Sequence, residues 1–272
     1  MTTYNFSRFA IEIENFVAIV RINNPEKANS LDLIAWQELE KTFQQLDDDI
    51  SVRAVIIQGE GKHFCSGMDL SVFMHIQELM KGNCSGRKNE KLRKFVIGLQ
   101  NNISAIEKCT KPVIAAIHGG CIGGGLDIAA ACDMRYATND AVFSIREIEI
   151  GIVADLGVLQ RLPKIMANGY VREMAYTGRN VKGAEAATMG LVNRSFDTKE
   201  VLFEFVQQLA QELAAKSPLS MRGTKEMLVY ATEHSIADGL NYVATWNSAM
   251  MLSNDMSEAV MATMEKRKPN FE

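Results

Sequence analysis

The chain has 272 residues, 47% hydrophobic and 23% charged, the composition of a folded protein with room for one large core or a core and an appendage. Its 29 basic and 33 acidic side chains leave a formal charge of −4, without the positive footprint of a nucleic-acid binder, so nucleic acid is not an expected partner. No apolar run of about twenty residues is present, so no membrane span is expected.

"FAIEIENFVAIVRI" alternates and then runs apolar around Glu14 and Asn15, which predicts two strands joined by a turn. The loop "NNPEKANSLD" ends in Ser30 or Asp32 as N-cap, and "LIAWQELEKTFQQL" has helical spacing. "VRAVIIQG" reads as a buried strand closed by glycine. The loop "EGKHFCSGMD", a short helix to Met80, a polar insert "KGNCSGRKNE" and a helix over 91–108 follow. Within that stretch the basic run Arg87–Lys94 is interrupted by acidic and polar residues and lacks aromatics for base stacking, so it reads as a solvated loop and helix start. "KPVIAAIHGG" is a further β-rich run ended by glycines, and the alternation of strand and helix sets the fold class as α/β.

From about Thr198 four helical segments follow one another with no strand between them, Pro218 suiting a first helical turn and Ser253, Asn254 and Asp255 offering N-caps. The expected division is a core over 1–197 and a helical C-terminal region over 198–272. The chain's 15 methionines fit an adaptable packing or subunit surface.

Five cysteines at irregular spacing, with no C-x-x-C pair, predict reduced thiols, and the four histidines show no metal-ligand spacing. No metal and no separate cofactor are expected. The opening "MTTYNFSRFAIEIENF" has neither a signal-peptide nor a transit-peptide pattern, and "PNFE" is no peroxisomal address. The location expected on this reading is cytoplasmic.

The densest chemistry lies in "GGCIGGGLDIAAACD", Gly119 to Asp133. No choice of its glycines gives G-x-G-x-x-G, no Walker pattern is present, and "HFCSGMD" lacks the glycines of a nucleophile elbow. What remains is a helix that starts on glycines. Such a start offers unpaired amides to an oxyanion, although three glycines equally permit close packing of helix on sheet. Downstream, "FSIREIEIGIVADLG" sets Glu147 and Glu149 two apart in a β-like stretch, with Asp155 after an apolar run. Asp127, one of the two glutamates and Asp155 thus occupy apolar settings, where desolvation and repulsion raise a carboxyl pKa and make proton shuttles.

"NNPEKANSLD", "FCSGMDL", "KPVIAAIHGGCIGGGLDIAAACDMRYAT", "FSIREIEIGIVADLG" and "EKRKPNF" together resemble the crotonase (enoyl-CoA hydratase/isomerase) superfamily, over essentially the whole chain. The resemblance implies a crotonase-like superhelix of ββα units, a C-terminal helical trimerisation region, trimers often paired as hexamers, and an acyl-CoA thioester as substrate. It maps the oxyanion-hole amides onto Met68 and Gly124, and the coenzyme-binding residues onto Lys27, Ala28, Ser66, Asp69 and Leu70. It selects Glu147 over Glu149 and sets Asp127 facing the acyl chain. Hydratases of this superfamily carry glutamate at position 127 and glycine at 155. The set Asp127, Glu147, Asp155 resembles instead the dienoyl-CoA isomerases, which convert 3,5-dienoyl to 2,4-dienoyl thioesters in fatty acid degradation. On that likeness Glu147 and Asp155 transfer the protons and Asp127 tunes Glu147. The alternatives are a 2-enoyl-CoA hydratase and a noncatalytic acyl-CoA- or RNA-binding relative.

Overall fold

A computed structural model describes residues 4–271. The chain opens with a hairpin, β1 (Phe9–Glu14) and β2 (Val17–Ile22), whose two turn residues Asn15 and Phe16 both take positive φ. Phe16 is held there under the Arg53 guanidinium, 4.1 Å from the ring centroid. A 3-10 turn (Pro25–Lys27) leads to α1 (Leu33–Asp48), capped by the Asp32 carboxylate, which accepts from the Ala35 amide at 2.8 Å. Then come β3 (Ala54–Gly59), α2 (Leu70–Leu79), α3 (Ser85–Lys108), β4 (Val113–Ile117), β5 (Gly120–Ile122) and α4 (Gly124–Ala131). The chain continues through β6 (Met134–Thr138), β7 (Val142–Ser144), α5 (Val158–Ile165), α6 (Asn168–Thr177), β8 (Val181–Lys182), α7 (Gly183–Met189) and β9 (Arg194–Phe196). It closes with α8 (Lys199–Ala214), α9 (Pro218–Ala231), α10 (Ile236–Met250) and α11 (Asn254–Met264).

The main sheet has the order β1-β2-β3-β4-β6-β9, antiparallel only in its first pair, and β5-β7-β8 form a second, smaller sheet. Because β3 and β4 are covered on both faces they are almost continuously apolar, as parallel strands between layers must be. Their residues divide by the strand period. Val55, Ile57, Val113, Ala115 and Ile117 face α1, α3 and α4, whereas Ala54, Ile56, Ile114 and Ala116 face Leu202, Val206 and Ala210 of α8. The first helix of the segment 198–272 is therefore a layer of the core. The chain leaves the sheet only after it, through α9, where Lys225 donates to the Asp133 carboxylate at 2.7 Å and to the Lys111 carbonyl at 3.0 Å.

Two local readings are corrected. The polar insert before α3 is helical from Ser85, since Arg87 to Lys94 form solvated helix surface that needs no apolar face of its own. The stretch around Glu147 is not a strand: β7 ends at Ser144, and Glu147–Ile150 make a 3-10 turn closed by Gly151 at φ 76°. No helix among the described residues is long and apolar enough to cross a membrane.

Candidate active site

The glycine helix is the centre of the site. Gly123 takes φ 51° and ψ −121°, so the chain leaves β5 sharply and enters α4 at Gly124. All three glycines also make room. A Cβ would stand 3.1 Å from Glu147 Oε1 at Gly123, 3.2 Å from the Trp36 ring at Gly124, and 2.5 Å from the Cys65 carbonyl at Gly125. The two readings of these glycines, amide presentation and close packing, therefore coincide.

The loop before α2 meets this helix start. Cys65 and Cys121 form a parallel bridge, and Leu31 bridges Met68 by donating to the Gly67 carbonyl at 2.8 Å and accepting from Asp69 at 3.0 Å. This register turns the Met68 amide away from Leu31. Among the described residues no group accepts from the Met68 amide or from that of Gly124. Gly67 lies so close to the helix start that a Cβ there would be 2.9 Å from the Ile122 carbonyl oxygen and 3.4 Å from the Gly124 nitrogen. Two unpartnered amides thus border one cavity of about 130 Å³, lined also by Ser66, Phe73, Glu147, Ile152 and Asp155.

The acids are tuned by burial. Glu147 is raised above the ordinary carboxylate range by desolvation, with the charge of Asp155 adding to it, and its buried Oε2 has no hydrogen-bond partner. Asp155, on the segment before α5, is raised by desolvation as well. Asp127 is only 1% exposed and is pushed up to about 8, first by burial and then by the charge of Glu147; the Val158 amide and Arg161 oppose the rise. Its Oδ1 accepts from Val158 at 2.7 Å, because α4 presents this position to the unpaired amides at the start of α5. Glu149 is exposed and pairs with Arg146 at 2.9 Å.

The five residues mapped as coenzyme-binding gather beside the same loop. Ser66 donates its amide to the Ala28 carbonyl at 3.0 Å and its hydroxyl to the Lys27 carbonyl at 3.4 Å. Asp69 is held well below the usual carboxylate range by Ser71, whose amide it caps, with Lys27 at 3.3 Å and Ser30 at 3.1 Å adding to the effect. Leu70 begins α2 and is 79% exposed. Of these five, only Ser66 lines the cavity. The spacing of the sequence did not reveal Val158 as the partner of Asp127, since a main-chain donor leaves no residue-type signal. Among the described residues no group of three or more His, Cys, Asp or Glu is placed to hold a metal ion.

Fold and site together define a class: an α/β protein of crotonase architecture, with main-chain donors able to polarise a carbonyl and raised carboxyls able to move protons beside it. The chain belongs to the enoyl-CoA hydratase/isomerase family, whose model matches residues 12–272. It is 49% identical over 251 residues to the peroxisomal Delta(3,5)-Delta(2,4)-dienoyl-CoA isomerase of Arabidopsis thaliana, covering 92% of this chain and 90% of that protein. It is 41% identical over 256 residues to the mitochondrial Delta(3,5)-Delta(2,4)-dienoyl-CoA isomerase of Homo sapiens, covering 94% of this chain and 78% of that one. Among solved structures it resembles the enoyl-CoA hydratase of Bacillus anthracis, with TM-score 0.87 and 29% identity over 97% of this chain and 99% of that one. The cytoplasmic location expected above is overturned, since these isomerase relatives are peroxisomal and mitochondrial proteins. A missing address pattern at the ends of a chain is not itself a location.

Proposed function

We propose that this protein isomerises 3,5-dienoyl-CoA to 2,4-dienoyl-CoA in fatty acid degradation, with the thioester oxygen between the amides of Met68 and Gly124. One carboxylate removes a proton from C2. The electron pair moves into the C1–C2 bond and onto the oxygen, giving an extended dienolate in which the negative charge is stabilised by the two donors, each worth about 3 kcal/mol. A proton delivered at C6 collapses the dienolate to the 2,4-diene. No proton is gained or lost overall, and no cofactor beyond the coenzyme in the substrate is required.

Glu147 serves C2, because its Oε1 approaches Gly123, the residue next to the Gly124 donor. Asp155 serves C6. Both groups start with raised affinities for protons, which suits a group that must give as well as take. The observation that carries the reading is that one cavity is bordered by both free amides and both acids. The names of the 49% and 41% identical relatives support the choice of reaction. Lys27, Ala28, Ser66, Asp69 and Leu70 are proposed to take the coenzyme beside the same loop.

The assembly is proposed to be a trimer or a pair of trimers. Leu228, Leu240, Leu252, Val260 and Met264 of the C-terminal helices and their links are each at least half exposed, a surface that association would cover. Light scattering at micromolar concentration tests this, a monomer being the contrary result.

The activity test compares two thioesters. Rapid appearance of conjugated dienoyl absorbance from 3,5-octadienoyl-CoA, with little loss of enoyl absorbance from crotonyl-CoA, supports the isomerase. The reverse pattern assigns a hydratase.

A further inference from the structure

The segment that carries Asp155 has almost no structure of its own. Among the described residues, positions 153–156 form no hydrogen bond from one backbone to another. The nearest such bonds are from the Ile152 amide to the Glu147 carbonyl on one side and those of the first turn of α5 on the other. A carboxyl that must meet one carbon of an extended substrate cannot be left on a wandering loop: a misplacement of about 1 Å costs roughly a hundredfold in rate.

What holds the segment is one face of α3. Gln100 Nε2 donates to the main-chain carbonyl of Asp155 itself at 2.7 Å. Ser104 and Glu107 are four and seven residues further along, on the same face of the helix, and both engage Arg161 at 3.1 Å. Arg161 in turn reaches the Leu156 carbonyl at 3.5 Å. A second cavity, of about 340 Å³, lies along this face and shares Asp155 and Leu156 with the first.

We propose that Gln100 is a positioning residue for the distal acid: by fixing the Asp155 carbonyl it sets the peptide plane from which the Asp155 carboxyl reaches the substrate. The inference rests on the isomerase reading given above. Gln100 lines the second cavity and not the one bordered by the two free amides.

The test is a double-mutant cycle on the full chain, using 3,5-octadienoyl-CoA. Gln100→Met keeps length and helix propensity but removes the donor, and Gln100→Glu, nearly isosteric, serves if the first variant folds poorly. The expected result is a kcat lower by roughly ten- to a hundredfold, an unchanged KM, and less than a further twofold loss when Gln100→Met is added to Asp155→Asn. A kcat equal to the parent's, or the same fold loss in the Asp155→Asn background as in the parent, overturns the role of Gln100 while leaving the isomerase standing. A parent protein that does not isomerise the substrate overturns both.

Discussion

Asp127 and Val158 are joined by a 2.7 Å hydrogen bond from the Val158 amide to the Asp127 carboxyl, so the acid inside the glycine helix holds the start of α5 three residues beyond Asp155. One buried carboxyl thereby braces the element next to another. Burial first, and then the charge of its neighbour Glu147, raises the proton affinity of Asp127.

Asp127 stands at about 8 in the folded chain and in the ordinary carboxylate range when unfolded. Between those limits the folded state binds more protons, so this group's contribution falls as pH rises and is lost through about pH 8. Asp127→Asn keeps an oxygen acceptor for Val158 and cannot ionise. Its melting temperature is expected to exceed the parent's at about pH 8.5, the gap closing towards about pH 5; calorimetry at the two values checks it.

Glu147→Gln removes the proton acceptor beside the glycine helix while preserving its shape. Isomerisation is expected to fall about 10²- to 10⁴-fold. Because burial raises Glu147 from its ordinary value, the parent's activity is expected to decline below a pH above the usual carboxylate range. The pH profile of kcat/KM measures that limb.

Gly67→Ala attacks the amide pair without touching an acid. The residue sits at φ 94°, and its new Cβ would stand 2.9 Å from the Ile122 carbonyl, so the loop that presents Met68 must shift. Roughly a hundredfold loss of kcat is expected, the cost of one misplaced oxyanion donor. A variant with parental kcat would show that the Met68 amide does not contact the developing charge.

Lys225→Met tests how α9 is fixed to the core. The ammonium is buried between the Lys111 carbonyl and Asp133, whose Oδ2 also accepts from the Val113 amide at 2.7 Å. Its removal leaves Asp133 without its cation, and a loss of about 2–3 kcal/mol is expected in denaturant titration.

Much of this was legible in the residues because local physics and overall fold agree. The alternation in β1, the buried runs of β3 and β4, the caps Asp32 and Ser253 and the Pro218 start of α9 mark elements that form where they were expected. The glycine helix was found by what its glycines exclude. Around Glu147 the pattern failed because a 3-10 turn of isoleucines and glutamates alternates like a strand over so short a span; only Gly151 marks its closure. The partner of Asp127 was hidden for another reason: the Val158 main-chain amide leaves no residue-type signal, and it is brought there by α5, distant in sequence.

The two free amides hang from bridges between main chains, Leu31 with Met68 and Cys65 with Cys121. No side chain supplies them, so drift among neighbouring residues can exchange or delete the carboxyls around the cavity without abolishing the grip on a carbonyl. The means of polarising a carbonyl and the means of moving protons beside it are therefore built from different parts of this scaffold, main chain for the one and side chains for the other.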